Sequence, residues 1–482
     1  MINLIQEKQK RFDIIFEMDD KNRYLSENDI LSITQSCMNK TFGDLGLNAV
    51  NKSNKGGLGG FVEENVFKYS SNTDDNPDFI NAGIELKVTP VRMNLDGSYS
   101  SKEKLVLNMI NYVNEVDKTF ETSSFYHKNR RLLIWFYLWS KGVAPSEYKI
   151  TNYDLFEFEH SVQYQTIKRD WEIIHKKIVN GKAHEISESD TTFLAACTKG
   201  ANSLALTSQP NSIIKAKPRA YAFKNGFMTR LYRELIHAIA PYVSFVSDDE
   251  WMKNPLEELY KEKLSVYHCM SIQDLKNRFY LRTNPKDICF RIAQKMLGLE
   301  GKSSSTQEMA DAGIKLKTVR LTKNGTPHES MSFPAFDFTE LLDKTWEESD
   351  IREDFVDWKL MFVVFRDDEN GVCRFDKVCF WNIPNSLVDG EIKKMYEKCA
   401  DLLRKGKVIM EIDSEGRVKD YFPKETKERG GNGVCHVRPH GRIADDTFDL
   451  PVPDKLTGKT KYTKQCFWFN KLFIKKIIEE LE

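Results

Sequence analysis

The chain has 482 residues, 40% apolar and 29% charged, with 71 basic and 71 acidic side chains and no net charge. This is the composition of an ordinary soluble globular protein; it excludes collagen, low-complexity disorder and a small disulfide scaffold, and at ~150 residues per domain the length suggests two to four domains. The nine cysteines are scattered, without a CxxC pair, which fits a reducing cytoplasm and argues against a disulfide framework or a thiolate zinc site.

In chain order, the N-terminal segment MINLIQEKQKRFD alternates charged and apolar residues and has no signal-peptide core. The glycine cluster Gly56–Gly60 cannot continue a helix cheaply, so the next predicted element is a helix over Phe61–Lys68, carrying Glu64. Ala82–Val88 reads as a strand entered through Gly83 and ended at Thr89-Pro90. Leu132–Trp139 reads as a buried central strand; it is also the longest apolar run, far short of the ~20 residues of a membrane span, so no membrane association is expected. Gln165–Asn180 has helical spacing, and the expected fold class is mixed α and β. Two stretches lack acids altogether. Thr191–Arg233 carries Lys199, Lys215, Lys217, Arg219, Lys224, Arg230 and Arg233, and Lys455–Lys476 carries Lys461 and Lys464 among its lysines. Local field outweighs total charge in binding a polyanion, so both are candidate nucleic-acid surfaces, although a solvated lysine face gives the same pattern.

The chain repeats itself once. Asn81-Ala-Gly-Ile-Glu-Leu-Lys-Val is echoed 230 residues later by Asp311-Ala-Gly-Ile-Lys-Leu-Lys-Thr, and Thr119-Phe-Glu-Thr-Ser 226 residues later by Thr345-Trp-Glu-Glu-Ser. Apolar stretches follow each, at Leu132–Trp139 and Leu360–Phe365. Basic, aromatic segments come late in both halves, starting at Arg219 and Lys464. Two domains of similar fold are expected, 1–240 and 265–482, with a linker at 241–264 around the acidic, proline-containing stretch Ser247–Glu262.

The sharpest chemical feature is Pro77-Asp78 followed by Glu85-Leu86-Lys87. Residues two apart on a strand share a face, so Glu85 and Lys87 leave together. Asp78 lies seven residues earlier, far enough for a turn or an antiparallel strand to bring its carboxylate beside Glu85. Two hard carboxylates converging on one point make a Mg²⁺ site with positions left for water and phosphate. The Lys87 ammonium can orient or help deprotonate an attacking water and stabilise phosphate charge. Glu64 is the candidate third carboxylate, either holding a second metal or orienting Lys87. An exposed charged hairpin would give the same string, but the repeat provides an internal control. At the same offset Glu64 becomes Gln294, Asp78 becomes Glu308, Glu85 becomes Lys315, and Lys87 is kept as Lys317. An ammonium where a metal ligand stood repels a cation, so the second half is expected to keep the fold and lack the metal site. There is no HExxH, and Gly301-Lys302-Ser303 is no phosphate loop, because the first required glycine position is Met296.

With these residues in hand, the chain resembles the MutH-related endonucleases, a group that contains the mismatch-repair nicking enzyme MutH and type II restriction endonucleases that cut GATC. The resembling motifs are Gly60-Phe-Val-Glu-Glu64, Pro77-Asp78-Phe79, Ala82–Pro90, Phe120-Glu-Thr-Ser123 with His127-Lys128, and Thr198-Lys-Gly-Ala-Asn202. The resemblance implies the PD-(D/E)xK nuclease fold, a mixed sheet flanked by helices, in two tandem copies. It implies a catalytic set of Glu64, Asp78, Glu85 and Lys87, with Lys128 as a further active-site lysine. It places Lys199, and with it Asn202, at the bases of the recognition sequence. Arg438, within His436–Arg442, falls where that motif lies in the first half. Two-half chains of this kind resemble the GATC-cutting restriction enzymes, in which the second domain binds another copy of the target as an allosteric effector. The expected function is therefore Mg²⁺-dependent double-strand cleavage of DNA at GATC, leaving 5′-phosphate ends. The partner is DNA, two sites per active complex, bound by a chain that is monomeric in solution and pairs on DNA. A MutH-type nickase and a non-catalytic DNA-binding protein are the alternatives.

Overall fold

The computed structural model describes residues 20–47, 57–70, 75–94, 97–199, 205–238, 242–301, 303–441, 443 and 445–481. The chain divides into two compact units, one of Met1–Pro241 with Ala310–Gly313 and the other of Tyr242–Met309 with Ile314–Glu482. Among the described residues no helix is long and apolar enough to cross a membrane.

The first unit is organised by β4, Arg131–Leu138. Leu132 to Tyr137 are all buried, because the strand is central and both of its faces are covered. It runs parallel to β1 (Glu85–Met93), pairing Glu85 with Leu132, and antiparallel to β5 (Lys149–Glu157). The short strand β2 (Tyr99–Ser101) closes the other edge, giving the order β2-β1-β4-β5. A second, antiparallel sheet has β7 (Arg219–Phe223) between β3 (Leu105–Met109) and β6 (Leu194–Thr198). The helix foreseen at Gln165–Asn180 spans Tyr164–Val179 and buries Ile167, Trp171, Ile174 and Ile178 at helical spacing. Its buried Asp170 accepts the amides of Thr192, Phe193 and Leu194 at 2.6–3.0 Å, which fixes where β6 begins.

Three expectations are corrected. The helix predicted over Phe61–Lys68 is instead an α-helical turn, Gly57–Phe61, running into a π-helical turn, Val62–Val66. The glycines form the first turn rather than preceding it; burial of Phe61 and Val62 offsets their conformational cost. The strand predicted to stop at Thr89-Pro90 continues to Met93. Pro90 directs its carbonyl to the amide of Lys102, 3.1 Å away, so its missing donor faces the short flanking strand and no bond to β4 is lost. The expected linker 241–264 is folded: helices Asp248–Lys253 and Leu256–Ser265 lie within the second unit and bury Trp251, Leu256, Leu259 and Tyr260. Its acids are helix-starting residues, as in the Ser247 and Glu250 capping box.

The second unit repeats the first unit's three central strands and its smaller sheet; among the described residues its larger sheet has no counterpart of β2, and two hairpins are added. β8 (Ile314–Leu321) lies parallel to β10 (Lys359–Asp367), which pairs antiparallel with β11 (Cys373–Asn382). Two hairpins follow the chain: β12 (Ile409–Ile412) with β13 (Val418–Asp420), and β15 (Thr447–Asp449) with β16 (Lys461–Thr463). A second sheet sets β17 (Gln465–Phe469) between β14 (Cys435–Pro439) and β9 (Met331–Phe336). This is the arrangement of β7 between β6 and β3. Each unit is thus a mixed sheet, a smaller antiparallel sheet and flanking helices. On β9, Met331, Phe333 and Phe336 are buried in a core shared with Phe355, Leu360, Phe362 and Phe469.

Candidate active site

The site begins at a turn. Phe79 and Ile84 exchange both amide hydrogen bonds, at 2.9 and 3.2 Å, and the chain between them reverses with Gly83 at φ +63°. That left-handed conformation suits glycine, and Arg131 holds the turn from β4 by donating to the Ala82 carbonyl at 2.6 Å. The reversal lays Asp78 against Glu85. The Asp78 amide donates to Glu85 Oε2 at 3.1 Å, and the Leu86 amide donates to Asp78 Oδ2 at 2.9 Å. Lys87, two residues along β1 from Glu85, donates to Glu85 Oε1 at 2.8 Å and to the Leu107 carbonyl at 3.3 Å. Lys128, on the helix Ser124–Asn129, brings its ammonium to 3.9 Å from the same Glu85 oxygen.

Two buried carboxylates side by side repel. Asp78 is 7% and Glu85 3% exposed. Burial, and next the Glu85 charge, push Asp78 up to about 8, against the pull of Lys87. Burial would lower the Lys87 ammonium, but Glu85, Asp78 and Glu63 outweigh it and hold it above the usual lysine range. Burial, then Asp78, Glu63 and Glu85, hold the Tyr69 phenol well above its ordinary value.

The structure brings together Asp78, Glu85, Lys87 and Lys128 of the predicted set. Of the two neighbouring acids on the π turn, Glu63 acts on Asp78, Lys87 and Tyr69, and it lines the adjacent cleft with Leu86, Lys87, Thr89, Lys104 and Trp139. Glu64, the predicted third carboxylate, is not among the described residues lining that cleft, because successive residues of a helical turn point in different directions. The cleft has a volume of about 540 Å³. Sequence reasoning also missed Arg23, whose guanidinium donates to the carbonyls of Asp78 (3.1 Å) and Pro77 (3.2 Å) from 55 and 54 residues away. No local signal could have found it.

Among the described residues no three His, Cys, Asp or Glu side chains group closely enough to hold a metal on their own. The chemistry of the pair nevertheless suits a hard divalent cation: two adjoining buried carboxylates, one forced toward its neutral form, are relieved by positive charge between them, with water and phosphate completing the shell.

The predicted DNA-contacting residues divide by burial. Lys215 is exposed, and Lys199 and Lys217 are half-buried. Asn202 lies outside the described residues. Arg219 and Lys224 are each 2% exposed and are corrected to structural roles. Arg219 donates to the carbonyls of Ala196 and Ile186, both at 2.5 Å, and Lys224 to that of Thr191 at 2.6 Å. They sit at the ends of the central strand β7, where a buried cation must satisfy carbonyls rather than face solvent. In the second unit Arg438 is exposed, its guanidinium 4.9 Å from the centre of the Trp468 ring. Lys461 pairs with Asp449 at 3.4 Å, and Lys464 with Asp446 at 2.6 Å.

At the corresponding place in the second unit the charges are exchanged. Glu308, the counterpart of Asp78, is buried and accepts the amides of Phe245 (3.2 Å) and Val246 (3.4 Å) and the Ser244 hydroxyl. Lys317, the counterpart of Lys87, still donates to the next sheet, at Ser332 O, 2.6 Å, and is pushed down to about 8, mainly by burial. Lys315 replaces Glu85. Five residues beyond the helix-capping serine of each unit, Lys128 after Ser123 is replaced by Asp354 after Ser349. Asp354 is pushed up to about 7 by burial, against the pull of Lys315.

A model of the family "DNA mismatch repair enzyme MutH" matches residues 67–170 and 297–386. These segments begin 230 residues apart, the offset of the repeat. The type II restriction enzyme Sau3AI of Staphylococcus aureus is 34% identical over 491 residues, covering 95% of this chain and 99% of its own. The mismatch repair protein MutH of Shewanella woodyi is 26% identical over 179 residues, 36% of this chain and 75% of its own. MutH of Pasteurella multocida is 25% identical over 191 residues, 38% and 82% respectively. Likeness along nearly the whole of a restriction enzyme, with MutH spanning little more than a third of the chain, settles the group: the chain belongs to the MutH-related family of type II restriction endonucleases.

Proposed function

We propose that the protein cuts both strands of DNA at GATC, using Mg²⁺ held by Asp78 and Glu85 of the first unit, and that the second unit binds a further DNA site as an effector. The observation that carries this reading is the buried pair Asp78 and Glu85 with the Lys87 and Lys128 ammoniums both at Glu85 Oε1, built on a turn and a strand beside an open cleft. When bound, the cation supplies Lewis acidity and makes a coordinated water more acidic. Lys87 positions that water by hydrogen bonding and shares the charge that develops on the phosphate. Lys128 adds a second cation beside Lys87 at the same Glu85 oxygen, offsetting the repulsion between the acids and a scissile phosphate. Attack on phosphorus with departure of the 3′ oxygen leaves a 5′-phosphate and a 3′-hydroxyl. Lys199, Lys215 and Lys217 offer backbone and base contacts in the first unit, and Arg438, Lys461 and Lys464 phosphate contacts in the second.

With one acidic centre per chain, cutting a palindrome on both strands requires two chains at one site or two successive visits. Restriction is favoured over mismatch-repair nicking because the relative that matches the chain end to end is a restriction enzyme. The test is digestion of a sequenced, unmethylated plasmid by the purified protein with Mg²⁺, followed by mapping of the ends. Linear products with ends at GATC are expected. Slow nicking alone would support the repair reading, and no cleavage with any divalent metal would overturn the proposal.

A further inference from the structure

Lys128 stands on a helix of only six residues, Ser124–Asn129. A helix this short is marginal by itself, so contacts outside it decide where it sits. One side chain reaches both of its ends. Asn108, on β3, donates from Nδ2 to the hydroxyl of Ser124, the first helical residue, at 3.2 Å, and its Oδ1 accepts Nδ2 of Asn129, the last, at 2.9 Å. The same strand serves the other active-site ammonium: Leu107, next to Asn108, accepts Lys87 Nζ on its carbonyl at 3.3 Å. Ser124 in turn donates to Glu115 Oε1 at 2.6 Å, a carboxylate only 1% exposed. Packing alone does not call for these bonds. Asn129 is fully buried, and its Oδ1 has no hydrogen-bond partner. An unpaired buried oxygen costs folding free energy, and an apolar side chain at that position would avoid the cost.

We propose that Asn108 and Asn129 are positioning residues: their paired amides clamp the Lys128 helix onto β3 in one register, so that the Lys87 and Lys128 ammoniums meet at Glu85 Oε1. The inference rests on the active site proposed above and adds to it the device that sets its second ammonium. Buried polar pairs fix register because a slipped arrangement leaves their polar atoms unsatisfied. Register matters here. Successive helical residues turn by about 100°, so a slip of one position would swing Lys128 away from Glu85. The Lys128 ammonium lies 3.9 Å from Glu85 Oε1, and Lys87 Nζ 2.8 Å from the same atom. Such an arrangement has little slack, since displacing a reacting group by about 1 Å costs up to about 100-fold in rate. Through Leu107 and Asn108, adjoining residues of one strand, β3 holds both lysines against the same carboxylate.

The experiment is a double-mutant cycle in the full-length protein. Asn108→Ala and Asn129→Leu are each made in the wild-type and in the Lys128→Ala background. The readouts are single-turnover plasmid cleavage in Mg²⁺, gel-shift binding of GATC DNA in Ca²⁺, and thermal unfolding. Asn129→Leu should melt no lower than the wild type, since it exchanges an unpaired buried oxygen for apolar contact. Each asparagine variant should slow cleavage about tenfold with DNA binding unchanged. In the Lys128→Ala background each should slow it by less than about twofold further, because the ammonium they place is gone. Equal losses in both backgrounds, or wild-type rates in the folded variants, overturn the proposal. So does failure of both variants to fold, which would assign the amide pair to the fold rather than to Lys128; if only one folds, it decides the outcome. A wild type that does not cleave, or a Lys128→Ala variant that cleaves at the full rate, refutes the active-site reading itself, and the proposal with it.

Discussion

The two units share the smaller sheet and three strands of the larger one, β2 being found, among the described residues, in the first alone, and carry nearly opposite chemistry where their first strands begin. In the first, Glu85 faces Lys87 and Lys128; in the second, Lys315 faces Lys317 and Asp354. Asp78 stays next to its acidic neighbour, whereas Glu308 is turned onto the amides of Phe245 and Val246. The apolar frame survives in both: Ile84 and Leu86 are buried in one, Ile314 and Leu316 in the other. The difference teaches that the fold does not need the acid pair. A like-charged buried acid pair is a cost, and the second unit keeps the sheet without that pair, with Lys315 in the place of Glu85.

The comparison breaks most visibly if the acid pair is expendable. Asp78→Ala or Glu85→Ala should abolish Mg²⁺-dependent plasmid cleavage, a loss of at least about 10³-fold, while gel-shift binding of GATC DNA in Ca²⁺ persists. Cleavage by either variant at the wild-type rate would dissolve the distinction between the units. Lys87→Ala should slow single-turnover cleavage by about 10²-fold, since it removes a donor aimed at developing charge.

A second way to sharpen it separates structural from functional cations. Arg219→Ala leaves two buried carbonyls without their partner and should destabilise the protein by about 2–4 kcal/mol, read by urea unfolding, with the salt dependence of DNA binding unchanged. Lys215→Ala should do the reverse, leaving stability within about 0.5 kcal/mol and reducing the slope of log affinity against log salt by about 1. The smallest effect belongs to the second unit. Lys315→Ala should leave single-turnover cleavage within about twofold of the wild type. A complete loss would place catalytic chemistry in the unit argued to lack it.

Much of this was legible in the residues, for reasons of short range. Strand alternation places Glu85 and Lys87 on one face, and a six-residue separation with Gly83 lets Asp78 fold back beside them. The run Leu132–Trp139 is too apolar for an edge strand. The internal repeat exposes the second unit's exchanged charges, with Lys315 at the place of Glu85. What escaped was long-range or depended on a backbone detail. Arg23 reaches Pro77 and Asp78 from a distant segment. The π turn sets Glu63, and not Glu64, among the described residues lining the cleft. Arg219 and Lys224 look like a nucleic-acid surface in a sequence that cannot show which carbonyls surround them.

The amino-acid sequence by itself determined the duplicated frame and the acid–acid–ammonium string, because both follow from covalent spacing and the two-residue period of a strand. Only the tertiary structure decided which charges meet. Burial raises Asp78, and Lys128 arrives from another element, because solvation and proximity depend on packing between segments that the chain order leaves far apart.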